Sequence, residues 1–204
     1  GNRVEGNGHS GIRVERGSIL LERGNVVSGN GHAGPGSGLY AGHGRIVLRD
    51  GNRVSDNVFG LRALKDPAEI GRDNHIMQNR LHGIALEGGS ALLDSGNNVS
   101  NNGGHGIISV MDIQLNSTNR IEFNRGCGLV SAEGLINVGN GNTITENGQA
   151  GIAANKTVTV AGNLNTISRN NRNGEPDWHD VTAPKGALQT LGNNNLIPMV
   201  DRRP

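Results

Sequence analysis

The sequence predicts an all-β fold: a single-stranded right-handed parallel β-helix (β-solenoid) of about nine rungs, 22–23 residues each. Three observations predict it. Asn2, Asn25, Asn52, Asn74, Asn97, Asn119, Asn142, Asn165 and Asn195 follow one another at 23, 27, 22, 23, 22, 23, 23 and 30 residues. A second asparagine stands five residues after each of the first eight, at Asn7, Asn30, Asn57, Asn79, Asn102, Asn124, Asn147 and Asn170. Two residues after each member of the first series comes a β-branched aliphatic, from Val4, Val27, Val54 and Ile76 to Ile167 and Ile197.

Residues 74–96 serve as the template coil. Asn74–Met77 is a short strand with Ile76 inward, and residues 79–82 turn the chain. Residues 83–87 form a second strand alternating in and out with period two. Gly88 and Gly89 turn it again, Ala91-Leu92-Leu93 is the third strand, and Ser95-Gly96 returns to the next asparagine. Each strand then pairs with its equivalent one rung away, about 4.8 Å distant, so that about nine rungs build a rod roughly 40 Å long. A left-handed coil repeats in hexapeptides, and nothing here repeats at six, which selects the right-handed form.

The inward pairs of the second strand read Ile12/Val14, Leu39/Ala41, Leu61/Ala63, Ile84/Leu86, Ile107/Ser109, Leu129/Ser131 and Ile152/Ala154. On the third strand Leu20, Val47, Leu92, Leu115 and Val160 are expected to stack inward. A slip of one residue would turn such a column outward, so register is strongly specified. The asparagines suit tight corners because Asn enters the left-handed backbone region readily. Their amides also bond to the same amide one rung away, forming ladders.

Gly is 34 of 204 residues. Outside a repeat that would read as disorder, but aliphatics in register make the glycines turn residues. The repeat occupies residues 1–170 as one domain, and residues 171–204 form an irregular C-terminal rung and cap. Net charge is +1 with no Lys/Arg cluster, which excludes a nucleic-acid footprint. No apolar run is long enough to span a membrane. Cys127 is the single cysteine, so no intrachain disulfide forms. Gly1-Asn2 stands in repeat register without a signal peptide or initiator Met, and the chain is expected to be a piece of a longer one.

The pattern N-x-[VI]-x-x-N-x-x-x-G-[IL]-x-[VAL] resembles the right-handed parallel β-helix repeat family. That is the fold of pectate lyases, polygalacturonases and many non-catalytic relatives. The resemblance covers residues 1–170. It implies an extracellular, periplasmic or cell-surface setting, often concerned with polysaccharide. Asp66-Pro67-Ala68-Glu69 looks like the Asp-Pro-His-Glu signature of mannuronan epimerases, with Ala68 where the histidine stands. Gly104-His105-Gly106-Ile107 resembles the Gly-His-Gly segment of polygalacturonases, whose paired aspartates have no counterpart here.

In enzymes of that kind the substrate lies along an outward strand face, and glycosidic cleavage needs two carboxyls roughly 5–9.5 Å apart. The outward columns of the second strand read Arg13, Tyr40, Arg62, Ala85, Ile108, Val130, Ala153 and Glu15, Gly42, Leu64, Glu87, Val110, Ala132, Asn155. No two carboxylates occupy adjacent rungs there; Glu15 and Glu87 are about 14 Å apart by the rung rise. The residues left for catalysis are Asp66, Glu69, His105, Asp177, His179 and Asp180. Aromatic platforms for sugar are few: Tyr40, Phe59, Phe123 and Trp178.

Contiguous apolar residues on the same face, Leu64, Ala85, Ile108, Val110, Val130, Ala132 and Ala153, have the composition of a partner surface. Its cover would be the chain's own segment around Trp178, a second copy (a homo-oligomer), or another domain of the parent. Small residues tolerating solvent on a stiff sheet is the alternative. His82, His105 and Cys127 fall on consecutive rungs, eight residues after an asparagine. Imidazole and thiolate together suit Zn²⁺ or copper, while a polar residue before a glycine turn is the plain alternative. No cofactor is called for.

The repeat departs from its period at three places. Four extra residues form the Gly31–Gly38 loop, Lys65–Glu69 interrupts the third rung, and residues 171–192 carry the single Trp. The last reads as a cap over the final open edge, or as a small ligand site built on acid–His–acid beside an indole. The reading that follows is a non-catalytic structural, adhesion or binding β-solenoid of a secreted or surface protein. The alternatives are a polysaccharide-active enzyme (uronate lyase, hydrolase or epimerase) and a small-ligand or metal-binding module.

Overall fold

The computed structural model describes residues 1–176 and 178–196. Among them the chain winds into three parallel sheets of nine, eight and eight strands. The first sheet runs from Arg3–Glu5 to Asn195–Leu196, the second from Ile12–Arg16 to Val181–Thr182, and the third from Ile19–Leu21 to Leu188–Thr190. The template coil contributes His75–Met77, Ile84–Leu86 and Ala91–Leu93, one strand to each sheet. Ile76 pairs with Val54 on one side and Val99 on the other, and Val99 pairs with Ile121; all four are fully buried. No helix long and apolar enough to cross a membrane is present among the described residues.

One coil cannot bury its own apolar face, so the core exists only because equivalent residues stack. It is continuous along the rod, from Ile19, Val27 and Leu39 to Val160, Ile167 and Val181. Two buried asparagine ladders run beside it. Each asparagine sends its backbone N–H and its side-chain amide to the Oδ1 of the next. Asn102 does so toward Asn124 at 3.2 and 2.9 Å, while accepting both bonds from Asn79 at 3.1 and 2.9 Å. The second proton on Asn102 Nδ2 goes to the Ile76 carbonyl at 3.2 Å. Donors and acceptors are thereby used up, as burial requires. Asn98 Oδ1 is the one buried side-chain polar atom lacking a partner among the described residues.

Four expectations are corrected. The ladder asparagines do not take the left-handed backbone; the residue before nearly every one does, as at Asp73 (φ 54°), Gln78 (φ 58°), Thr118 (φ 55°), Phe123 (φ 56°) and Leu164 (φ 62°). The corner bends one residue early, leaving the asparagine free to aim its N–H and its side chain at the same oxygen. In the third sheet Leu20, Val47 and Leu92 point outward, with Leu20 53% and Leu92 40% exposed. The inward residues are Ile19/Leu21, Ile46/Leu48 and Ala91/Leu93. Three consecutive apolar residues carry no phase, whereas Ile113-Gln114-Leu115 and Val158-Thr159-Val160, with a polar middle residue, do.

Lys65–Glu69 does not break the third rung. Ala68–Ile70 is a regular strand in register with Ile46–Leu48 and Ala91–Leu93. At the C-terminus the first ladder continues through Asn194, whose Oδ1 accepts from Asn165 N and Nδ2 at 3.2 and 2.9 Å. Leu196 accordingly pairs with Ile167. The register expected from Asn195 is one residue late there, and Ile197 lies outside the described residues.

Candidate functional site

The second sheet's outward face divides into two halves. Toward the N-terminus it is charged and self-paired. Arg13 bonds Glu15 at 2.6 Å and lies 4.5 Å from the Tyr40 ring centre. Arg62 bonds Glu87 at 2.7 Å and lies 5.3 Å from the centre of Phe59. Further along, Leu64, Ile108, Val110 and Val130 are half-buried and Ala132 is exposed. Ala85 and Ala153 are 5% and 7% exposed, so neither offers area to a partner. Ala85 is a small side chain paired between Arg62 and Ile108. Ala153 has a cover of the chain's own: Trp178 packs against the cluster of Cys127, Ala150, Ala153 and Val130.

The segment carrying Trp178 is tied down along its length. Asn171 N–H bonds the Gln149 carbonyl at 2.7 Å, and Asn173 N–H bonds the Gly148 carbonyl at 2.8 Å. Asn171 Nδ2 reaches the carbonyls of Glu175 and Trp178, and the indole N–H donates to Glu175 Oε2 at 3.2 Å. The inserted Gly31–Gly38 loop is fixed as well, by Arg80, which donates to the Gly31 carbonyl at 2.8 Å.

His82, His105 and Cys127 do lie one above another, at the corner leading into the second sheet. The two imidazoles are stacked, 5.0 Å between centres and 4° from parallel, with Phe59 5.8 Å from His82. Their Nδ1 atoms are already used. His82 Nδ1 accepts the His105 N–H and His105 Nδ1 accepts the Cys127 N–H, each at 2.9 Å. That leaves the proton on Nε2, the tautomer in which neither nitrogen has a free lone pair for a metal. Burial pushes the Cys127 thiol up to about 12, away from the thiolate a metal needs. Burial also holds His82 below the ordinary imidazole range, and brings His105, with help from the His82 charge, down to about 4. No group of three or more His, Cys, Asp or Glu side chains is arranged for a metal among the described residues.

The candidate catalytic residues are dispersed. Asp66 Oδ2 accepts the Gly44 N–H at 2.7 Å, and Glu69 bonds Arg45 at 3.0 Å on the outer face of the third sheet. Ala68, where the epimerase signature has histidine, is a fully buried core residue. His105 belongs to the corner stack, two rungs further on. Asp177 lies outside the described residues. His179 donates its N–H to Thr182 Oγ1 at 3.3 Å.

Asp180 has a role that sequence reasoning missed: it ends the second ladder. Its Oδ1 accepts Asn170 N and Nδ2 at 2.8 and 2.7 Å, as an asparagine does elsewhere. Burial pushes its carboxyl up, opposed by those two bonds. The only signal was positional, since Asp180 precedes Val181 as each column glycine precedes its aliphatic, but it follows Asn170 by ten residues where the other members of that ladder are 22 to 27 apart.

Residues 32–173 match a family model described as a right handed beta helix region. No curated protein and no solved structure matches the chain.

Proposed function

The chain belongs to the right-handed β-helix family, and from that premise we propose that it is a non-catalytic structural or binding rod of a secreted or surface protein. The observation that carries this reading is the state of the outward carboxylates. Glu15, Glu69, Glu87 and Glu122 each bond an arginine, Arg13, Arg45, Arg62 and Arg120 respectively. Within the second sheet's face no two carboxylates stand on neighbouring rungs. Acid–base cleavage of a glycosidic bond needs two carboxyls flanking it, roughly 5–9.5 Å apart, and arginine pairing engages these on the rod's own surface.

The same face supplies a contact area in Leu64, Ile108, Val110 and Ala132, beyond the edge of the Trp178 cover. This apolar strip is the part of the rod offered to a second copy or a neighbouring domain. Light scattering tests it. The wild-type chain is expected to self-associate with rising concentration, and Ile108→Lys with Val110→Lys to remain monomeric. A wild-type chain that is monomeric throughout removes the contact role. Catalysis is tested separately on uronate polymers: release of unsaturated or reducing product would overturn the non-catalytic reading.

A second reading has one observation in its favour. The third sheet's flank carries an open groove of about 410 Å³ whose polar lining is Gln114, Asn116, Ser117, Asn137 and Asn140, interleaved with Leu115, Val138, Gly139 and Ala161. Carboxamides and a hydroxyl in a row suit a neutral, hydroxyl-rich polymer such as a polysaccharide. Retention on immobilised glycans, abolished by Gln114→Ala with Asn137→Ala, would move the function to that flank.

A further inference from the structure

The corner stack contains two backbone hydrogen bonds that end on imidazole nitrogens. The His105 N–H and the Cys127 N–H each point at an Nδ1 of the rung before, at 2.9 Å. Elsewhere among the described residues such bonds end on carbonyl, carboxamide, hydroxyl or carboxylate oxygens, which stay acceptors across the ordinary pH range. An imidazole nitrogen does not. Protonation converts each Nδ1 from acceptor to donor, so that two donors face each other. It also sets two positive charges one rung apart, with the ring centres separated by 5.0 Å.

We propose that the stacked His82–His105 pair is an acid-sensitive latch on the corner beneath Trp178, closed while both imidazoles are neutral and released on protonation. Cys127 is the residue through which release is felt. Its N–H loses its acceptor when His105 is protonated, and its side chain is part of the cluster that Trp178 covers. Its thiol reaches Gln149 Oε1 at 3.7 Å. Opening the corner exposes that thiol.

Two charged groups reach the column from the elements around it. Arg62 lies over the Phe59 ring, which itself lies beside His82. Glu175 acts on the Cys127 thiol and accepts the Trp178 N–H. Burial favours the neutral imidazoles, His105 more than His82. The sign follows. A histidine whose folded pKa is depressed adds stability that is complete above its ordinary value of 6.5 and is lost as pH falls toward about 4.

The test uses the single thiol of the intact chain. Dithiodipyridine labelling of Cys127 is followed from about pH 7 to about pH 4.5, across the imidazole range. Each rate is divided by that of the urea-unfolded chain at the same pH. The normalised rate is expected to rise at least about tenfold, the change that one pH unit of linked protonation produces. The double variant His82→Gln with His105→Gln, which removes both titrating acceptors, should give a flat ratio, and His105→Gln alone should remove most of the rise. A flat ratio in the wild-type chain overturns the proposal. So does a nitrogen-15 spectrum in which His82 carries its proton on Nδ1 at neutral pH.

Discussion

Thr118 is held at a φ of 55° by the corner it forms, a conformation costly for a β-branched residue. The left-handed region costs a non-glycine residue about 1–2 kcal/mol, and glycine gives back about 0.5–1 kcal/mol through unfolded-chain entropy. Thr118→Gly is therefore expected to stabilise the protein by roughly 0.5–1 kcal/mol, read as a higher urea midpoint. An unchanged or lower midpoint would mean that the corner is not strained. The opposite holds at Gly106. A Cβ there would sit 2.7 Å from the Gly128 carbonyl oxygen and 2.8 Å from Asn124 Nδ2. The carbonyl is held by the Ile107 N–H and the amide by its ladder, so neither yields freely and Gly106→Ala should destabilise by about 1–3 kcal/mol. The glycine before each second strand is thus not a turn residue; it makes room for the asparagine amide of the neighbouring rung.

At the scale of the strand, alternation decides which of two adjacent leucines matters. Leu92 and Leu93 are neighbours in one three-residue strand, yet Leu93 is fully buried and Leu92 faces solvent. Leu92→Ala is expected to change stability by less than about 0.5 kcal/mol. Leu93→Ala should cost about 2–5 kcal/mol, because the rungs above and below prevent the cavity from collapsing. Equal effects in parallel urea unfolding curves would refute the assigned phase. The columns show why the sequence misled here. Period-two patterning needs a polar residue to mark the solvent side, and the strands at Leu20, Val47 and Leu92 lack one.

The whole molecule behaves as a stack whose ends are its weak points, since strand pairing and both ladders join each rung to its neighbours and only a few side chains, such as Arg80 and Trp178, reach further. Asp180 closes the second ladder, and Asp180→Ala would leave the Asn170 N–H without its acceptor, while Nδ2 keeps its bonds to the Ile144 and Ser168 carbonyls. Each unmet buried donor costs about 1–3 kcal/mol. The loss should appear as local fraying: amide exchange accelerates in residues 147–183 while the central rungs stay protected. Asp180→Asn keeps the accepting oxygen and is expected to keep the protection. Acid should act on the rod differently, through the His82–His105 corner in its middle. Stability measured against urea should fall as pH drops from about 6.5 toward about 4, and His105→Gln should remove most of that slope.

The sequence by itself determined the coil, its period, the first-sheet column through Ile76, Val99 and Ile121, and the existence of two asparagine ladders. A repeat displays such features many times over, so an error in one rung is outvoted by the rest. What only the tertiary structure decided are the features that occur once. Trp178 folds back over Cys127 and Ala153, and Asp180 substitutes for an asparagine ten residues after Asn170. The Asp66, Glu69 and His105 side chains go to separate partners, although the chain brings them within two rungs. Two stacked imidazoles take over backbone acceptor duty. None of these follows from a period, because each depends on which atoms meet across rungs, and that is settled by packing distance and direction rather than by residue type.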